Sequence, residues 1–262
     1  MKNKDKFVKF YESIDNPLTD KNLGFFVDLW QKTSDNKVLL DKITENNYPN
    51  FNCSSDLVNN DFLVLADKKD RYYFGKDKFY QNLDDYKKDI KHQLFIGAGY
   101  KMQDIVVNNF INLCHNNEIP FYIKTSSEKK KDNVVIYTTD SNFFDCLEIL
   151  NHMSVDLLSR NEMLKKIYMP FITGLFEPSI LTSKCCSWVG YGSKANDDYM
   201  QSRIDFLDEN ISKIIEKDTK VNKEILQYLR KYLISESHKY NIDSDNMAFN
   251  DDITKEIKVL KK

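Results

Sequence analysis

The chain has 262 residues, of which 41% are hydrophobic and 13% aromatic, a composition that predicts a globular protein with a sizeable core. Only 7 Gly, 5 Pro and 5 Cys are present, which excludes collagen-like and disulfide-scaffold proteins. The 38 basic and 40 acidic residues give a formal net charge of −2. That balance argues against a dedicated nucleic-acid-binding protein, because such proteins carry a clear excess of positive charge.

Residues 1–50 are predicted to form an N-terminal helical segment. Apolar residues at helical spacing mark one helix at Phe7–Tyr11 and another at Leu23–Trp30, behind the helix-start sequence Asn16–Asp20. The basic N-terminus has no apolar stretch behind it, so we expect no secretory signal, and no segment is apolar enough to span a membrane. Together with five cysteines at scattered spacing, this predicts a cytoplasmic protein with reduced thiols.

Strands and helices are predicted along the middle of the chain. One hairpin is expected from Phe62–Ala66 and Arg71–Phe74, and a clearer one from Phe121–Thr125 and Val134–Tyr137. A short strand is expected at Leu94–Ile96. Amphipathic helices are predicted over residues 77–92, 102–113, 142–153, 201–216 and 222–235. The fold class is therefore α+β, with central antiparallel hairpins flanked by helices, and residues 251–262 are expected to form a loose Lys-rich tail.

The familiar cofactor and nucleophile motifs are absent from the sequence. Residues 95–102 lie between a strand and a helix like a dinucleotide fingerprint, but Met102 stands at the third glycine position. The start of that helix still offers backbone N–H groups to an anion, with Lys101 beside them. The four histidines are far apart, the cysteines lack zinc spacing and there is no G-x-S-x-G elbow. We therefore expect no metal, nucleotide or other cofactor.

Basic residues in the two hairpins point to an anionic ligand. The chain has only four arginines, and the planar guanidinium binds phosphate bidentately in a way that Lys does not. Side chains alternate along a strand, so Tyr122 and Lys124 share one face of their strand, and Arg71 and Tyr73 share a face of theirs. A solvated outer face explains the pattern equally well. If Arg71 and Lys124 line the same side, they form a cationic site with aromatic walls that suits a phosphate.

Short segments in a fixed order also carry a resemblance to a known family. They correspond to its motifs R-x-Y, P-F-x-x-K, R-x-D-x-x-V-L-Y, S-F-G…R and G-I-D…P-Y-L-N. The matching segments are Arg71–Phe74, Pro120–Lys124, Lys130–Tyr137, Gly192-Ser193 with Arg203, and Asn241–Asp243 with Ala248–Asn250. In these the chain resembles the HopA family of bacterial type III effectors, a domain type that also serves as a lyase component in class V lanthipeptide and thioamitide biosynthesis. Lys130 departs from the pattern, where Arg is usual, and the last motif is altered.

The resemblance implies a phosphothreonine-lyase-like domain over residues 51–250. Such an enzyme eliminates phosphate from phosphothreonine or phosphoserine in a precursor peptide, after a partner kinase has phosphorylated it, and leaves dehydrobutyrine or dehydroalanine. β-Elimination needs a base for the Cα proton and cations at the departing phosphate. The implied roles are Lys124 as base, Arg71 and Arg203 as phosphate ligands with Lys130 and Lys101 as further candidates, and Tyr122 or Tyr137 as donor to the leaving oxygen.

Three hypotheses follow, and one catalytic role is left without a residue. Phosphothreonine lyases carry a K-x-H motif whose His protonates the leaving group, but Ser126 stands two residues after Lys124, so the acid is unassigned. The first hypothesis is a lyase in peptide maturation that works beside a kinase. The second is an effector or toxin that acts on a phosphorylated host protein. The third is a non-catalytic subunit that binds phosphopeptides.

Overall fold

A computed structural model of the protein describes residues 4–44, 63–66, 70–75, 80–96, 100–126, 134–159, 182–186, 188–193 and 199–260. The helices within these ranges are α1 Lys4–Ser13, α2 Asp20–Gln31, α3 Asn36–Thr44, α4 Leu83–Asp89, α5 Tyr100–Asn116, α6 Phe143–Ser159, α7 Tyr199–Ile211, α8 Lys223–Glu236 and α9 Asp251–Leu260, with a 3-10 helix at Ser237–Tyr240. The strands are β1 Leu63–Ala66, β2 Asp70–Gly75, β3 Ile90–Ile96, β4 Phe121–Ser126, β5 Val134–Thr139, β6 Ser183–Cys186 and β7 Val189–Ser193.

The chain divides into two compact units. The first unit contains Glu45–Glu177 and Lys184–Gly190, and the second contains Asp5–Thr44 and Tyr191–Lys262. The N-terminal helices therefore belong to the same unit as the C-terminal helices. This division differs from the predicted one, in which residues 1–50 stood apart from a domain spanning 51–250. The difference arises because packing between segments distant in sequence, and not their order along the chain, decides which helices share a core.

The first unit contains strands β1 to β5 of a β-sheet whose strand order is β1-β2-β4-β5-β3-β7-β6. The pairs β1/β2, β2/β4, β4/β5 and β3/β5 are all antiparallel. Both predicted hairpins are confirmed, and they lie side by side in the sheet through the β2/β4 pairing. The α+β class is therefore confirmed, with antiparallel strands at the centre and helices around them.

In the described part of the chain, helices contact the two faces of this sheet unequally. On one face, Phe110 of α5 lies against Phe121 of β4, with ring centroids 6.5 Å apart, and Phe143 of α6 lies 4.7 Å from the ring of His92 on β3. On the other face, Tyr86 of the short helix α4 packs at 5.7 Å against Phe74 of β2. The second face is thus covered in part by a helix of only seven residues, and it bears the half-buried side chains described below.

The second unit has an aromatic core contributed by both ends of the chain. Phe249, which precedes α9, contacts residues of α1 and β7: Phe7, Phe10, Tyr11 and Tyr191. Trp30 of α2 donates its indole N–H to Asp208 of α7 at 2.6 Å. These contacts hold α1 and α2 against the C-terminal helices.

Several elements depart from the sequence-based expectation. The helix predicted over residues 77–92 is shorter, because Ile90–Ile96 forms strand β3, and helix α3 and strands β6 and β7 were not predicted. The expected loose tail is wrong for the described residues 251–260, which form α9 and bury Thr254 and Ile257. No helix in the described ranges is long and apolar enough to cross a membrane.

Candidate functional site

The strand register brings Lys124 together with a set of tyrosines on the partly covered face of the sheet. Lys124 lies directly opposite Tyr72, and Tyr122 lies opposite Tyr137 and on its other side opposite Phe74. Residues paired across antiparallel strands point to the same face, and so do residues two apart on one strand. We call this surface the tyrosine face and define it by Asp70, Tyr72, Tyr122, Lys124 and Tyr137.

Three of these tyrosine rings form a continuous row across β2, β4 and β5. The rings of Tyr72 and Tyr122 stack with their centroids 6.1 Å apart and their planes 14° from parallel. The rings of Tyr122 and Tyr137 are 5.0 Å apart. Tyr122 is buried, whereas Tyr72 and Tyr137 are half-buried. The row therefore has a buried centre and two ends that a ligand can contact.

Lys124 is held at this face by a carboxylate and an aromatic ring. Its Nζ lies 2.8 Å from Oδ2 of Asp70 and 5.9 Å from the centroid of the Tyr72 ring. One third of the Lys124 side chain is exposed, so a ligand can approach the ammonium group. In this arrangement Lys124 is an ion-paired cation, and the pair is placed where an anion can compete with Asp70.

Tyr122 stays protonated at neutral pH. Burial, with a further contribution from the neighbouring Tyr72, raises its pKa to about 12 because both effects disfavour a phenolate. A neutral phenol keeps an O–H to donate and adds no negative charge near Lys124. The tyrosine face therefore offers hydrogen-bond donors beside a cation, which is the chemistry that a phosphate ester requires.

Helix α4 packs against the tyrosine face. The hydroxyl of Tyr86 donates to the backbone oxygen of Tyr137 at 2.9 Å and accepts from Nδ2 of the buried Asn142 at the same distance. The next residue, Lys87, lies with its Nζ 5.6 Å from the centroid of the Tyr122 ring. The buried Tyr86 thus anchors a second lysine at the same surface.

Arg71 does not share the face of Lys124. It is exposed and pairs with Thr125, one register position away from the Tyr72–Lys124 pair, so its side chain leaves the opposite face of the sheet. The condition for a joint Arg71–Lys124 site is therefore not met. Lys130 lies outside the described residues, and of Lys101 the structure describes only the backbone position in the first turn of α5.

Arg203 lies in the second unit and is fully engaged there. Only 2% of it is exposed, and its guanidinium donates to the backbone oxygens of Met247 and Phe249, both at 3.0 Å, and to Oδ1 of Asn250 at 2.7 Å. Its charge also lies 4.8 Å from the ring of Tyr199. Burial lowers the pKa of this guanidinium. The contacts described for Arg203 are those of a residue that fastens the segment before α9.

The other motif residues of the second unit meet at the same place. Ser193 donates its backbone N–H to Ala248 at 2.8 Å, and its hydroxyl accepts the backbone N–H of Asn250 at 3.1 Å. Asp243 donates its backbone N–H to Phe249 at 3.0 Å. The segments that carry the family resemblance near the C-terminus therefore interlock with Arg203 in one hydrogen-bonded cluster.

His92 does not supply the missing acid at the tyrosine face. It pairs with Thr138 in the register, which puts it on the helix-covered face of the sheet, where its Nε2 lies 3.0 Å from Oδ1 of Asp140. Burial lowers its pKa despite that carboxylate. Among the residues that the structure describes, no group of three or more His, Cys, Asp or Glu side chains is arranged to hold a metal ion.

Sequence reasoning identified part of the tyrosine face and missed the rest. Lys124, Tyr122 and Tyr137 were named and lie together, while Asp70, Tyr72 and Lys87 were not assigned roles. The alternation of side chains along β2 was the signal for Asp70 and Tyr72, but it becomes decisive only with the β2/β4 register. Nothing in the sequence around Lys87 distinguishes it from its neighbour Lys88.

Comparisons with known proteins find a fold relationship only. No protein-family model and no curated protein matches the chain. The chain is similar in fold to the effector protein from Pseudomonas syringae pv. syringae strain 61, with a TM-score of 0.52 and 9% identity over 89% of this chain and 99% of that one. The effector protein from Pseudomonas syringae pv. tomato strain DC3000 aligns with a TM-score of 0.48 and 11% identity, over 90% of this chain and 84% of that one. The expected resemblance to bacterial effectors is thus confirmed for the fold.

Proposed function

We propose that the protein is a HopA-like phosphothreonine/phosphoserine lyase that eliminates phosphate from a peptide phosphorylated by a partner kinase. The observation that carries this proposal is Lys124, whose accessible amino group is set beside the protonated phenol of Tyr122 on the tyrosine face. The fold likeness to an effector protein and the order of the motif segments support it. The product is dehydrobutyrine from phosphothreonine or dehydroalanine from phosphoserine, as in lanthipeptide-type maturation.

The proposed reaction assigns one task to each kind of side chain. Lys124, in its neutral form, takes the Cα proton; the electron pair of that C–H bond forms the Cα=Cβ bond, and the Cβ–O bond breaks with its electrons leaving on phosphate. Asp70 holds the Nζ of Lys124 at the tyrosine face. Tyr122 or Tyr137 donates its O–H to the leaving oxygen, which stabilises the charge that develops there.

Mass spectrometry tests this chemistry directly. A phosphothreonine peptide incubated with the protein and EDTA is expected to lose about 98 Da, the mass of phosphoric acid, without added metal. A loss of about 80 Da indicates hydrolysis and a phosphatase, which contradicts the lyase mechanism. The same measurement with a peptide that carries its leader, in the presence of the partner kinase, covers the case in which substrate delivery needs them.

Variants of Lys124 test whether this residue acts as the base or only as a cation that binds phosphate. Lys124→Ala is expected to abolish elimination, and Lys124→Arg is expected to abolish it too while retaining phosphopeptide binding, because Arg keeps the charge but does not deprotonate. Turnover and phosphopeptide affinity are measured on the same preparations. Elimination at near wild-type rates in Lys124→Arg contradicts the assignment of the base.

The Asp70–Lys124 ion pair favours a second candidate function, which is non-catalytic phosphopeptide binding. A carboxylate 2.8 Å from Nζ keeps the lysine charged, and a charged lysine binds phosphate but removes no proton. This function predicts tight binding of phosphopeptide with no loss of mass. The effector hypothesis rests on the fold likeness instead, and it predicts that a folded phosphorylated host protein is converted in preference to a leader-bearing peptide.

A further inference from the structure

We infer that Lys87 is a second cationic ligand of the phosphate at the tyrosine face, a role that rests on the proposed function and specifies how the site selects a phosphate ester. Lys87 lies outside every motif that carries the family resemblance. It reaches the face from α4 rather than from the sheet. The ligand class that this site selects is a dianionic phosphate monoester on a peptide.

The geometry brings Lys87 and Lys124 to adjoining rings of the same stack. The Nζ of Lys124 lies 5.9 Å from the centroid of the Tyr72 ring, and the Nζ of Lys87 lies 5.6 Å from that of Tyr122. These two rings are parallel to within 14°. Cations are attracted to the faces of tyrosine rings within about 6 Å, so the stack orients both ammonium groups before any ligand arrives.

The charges at the face explain why Lys124 is not enough by itself. It brings no net positive charge to the ligand, because Asp70 compensates its ammonium form at 2.8 Å and its neutral form, the base, carries no charge. A phosphate monoester brings nearly two negative charges at neutral pH. Tyr122 contributes no charge, because its pKa is raised to about 12. A doubly charged ligand is therefore bound better with a further ammonium group next to Tyr122, and Lys87 is placed there.

The position of Lys87 is fixed by its neighbours on α4. Tyr86 is fully buried, bonded to Tyr137 and Asn142, and in ring contact with Tyr80 at 4.9 Å. Asn82 caps the start of the helix by accepting the backbone N–H of Asp85. Because these contacts hold α4 in place, the backbone at Lys87 needs no rearrangement when the phosphate binds.

Lys87→Gln, with Lys88→Gln as the matched control, tests the inference. Lys88 is the next residue on the same helix, is 73% exposed and pairs with Asp85 at 2.9 Å, so its loss removes the same charge from the protein without touching the tyrosine face. Affinity is measured for a phosphothreonine peptide and for the same peptide without phosphate. We expect Lys87→Gln to weaken phosphopeptide binding about tenfold, as loss of a charge-assisted hydrogen bond does, and to leave the unphosphorylated peptide unaffected.

Steady-state kinetics distinguish the role of Lys87 from that of Lys124. Lys87→Gln is expected to raise KM with little change in kcat, Lys87→Arg to restore affinity, and Lys88→Gln to behave as wild type. If Lys87→Gln and Lys88→Gln bind the phosphopeptide equally well, the inference is overturned while the lyase proposal stands. If the wild-type protein shows no preference for the phosphorylated peptide and no conversion of it, the proposed function fails, and the inference fails with it.

Discussion

Asn142 supports the tyrosine face through three buried hydrogen bonds of one side chain. Its side chain accepts the backbone N–H of Thr139 at 2.8 Å and donates to the hydroxyl of Tyr86 at 2.9 Å and to the backbone oxygen of Pro120 at 2.7 Å. It also precedes the first turn of α6. One buried amide therefore ties the end of β5, the start of β4 and the tyrosine that anchors α4.

Asn142→Ala is expected to destabilise the protein by about 2–4 kcal/mol, because it leaves buried backbone and hydroxyl groups without partners. Urea unfolding measures the change. Asn117→Ala is the control, since the Asn117 amide donates only to a backbone oxygen at the exposed end of α5. Equal losses in the two variants are incompatible with a central role for Asn142.

At the same scale, the sequence predicted which side chains of one strand share a face better than it predicted which side chains of two strands meet. Tyr122 and Lys124 are two apart on β4, and the period of a strand alone puts them on one face. The face on which Arg71 lies relative to Lys124 depends on the register between β2 and β4, because a shift of one position moves a side chain to the other face. No local pattern sets that register. Arg203 was missed as a buried residue because its partners are backbone oxygens more than 40 positions away.

At the scale of elements, the hairpins were predictable and the ends of helices were not. β-Branched and aromatic runs around short polar turns identified β1/β2 and β4/β5. The apolar residues of 77–92 fit a helical period, yet Ile90 belongs to β3, where pairing with β5 outweighs helical propensity. In α9 the polar residues around Thr254 and Ile257 concealed a face that the core of the second unit buries.

Alanine substitutions at two glycines are expected to change stability in opposite directions. A Cβ on Gly75 at the end of β2 would lie 2.1 Å from the ring of Phe121, the residue paired with it on β4. A Cβ on Gly24 within α2 would lie 3.4 Å from Leu226, which is ordinary contact. Gly75→Ala is therefore expected to lower stability by about 1–3 kcal/mol through overpacking, and Gly24→Ala to raise it by about 0.5–1 kcal/mol through helix propensity. Thermal unfolding of both variants measures whether each substitution raises or lowers stability. A stabilised Gly75→Ala variant contradicts the described contact between β2 and β4.

For the molecule as a whole, nothing in the local sequence indicated which part of the chain the N-terminal helices pack against. Their amphipathic stripes predicted burial but not a partner, and the partner proves to be the C-terminal part of the chain. Tyr11 shows the link: its hydroxyl donates to Oδ2 of the fully buried Asp243 at 2.9 Å across 232 positions. Burial and this carboxylate raise the pKa of Tyr11, which keeps the phenol protonated and the hydrogen bond in place. Long-range contacts of this kind need the three-dimensional structure.

The stability of the whole protein is expected to fall as the solution becomes acidic, in part through His92 and Asp140. Burial lowers the pKa of His92 below its usual 6.5, so the unfolded chain takes up a proton there before the folded protein does. The hydrogen bond from His92, with a further one from Lys91, lowers the pKa of Asp140 from its usual 3.8. Both groups therefore contribute stability that is present at neutral pH and is lost in acid, first below about pH 6.5 from His92 and then below about pH 4 from Asp140.

His92→Gln and His152→Gln separate this contribution from the rest of the acid response. The wild-type free energy of unfolding, measured in urea between pH 7 and pH 5, is expected to fall by up to about 1.4 kcal/mol per pH unit from one proton. His92→Gln removes the titrating group and should flatten that slope, although the loss of a buried ring also lowers stability at pH 7. His152 is exposed, so His152→Gln controls for the loss of a histidine that lies outside the core. An NMR titration of the His92 ring gives an independent readout: a ring that charges at or above pH 6.5 in the folded protein contradicts the buried, neutral pairing with Asp140.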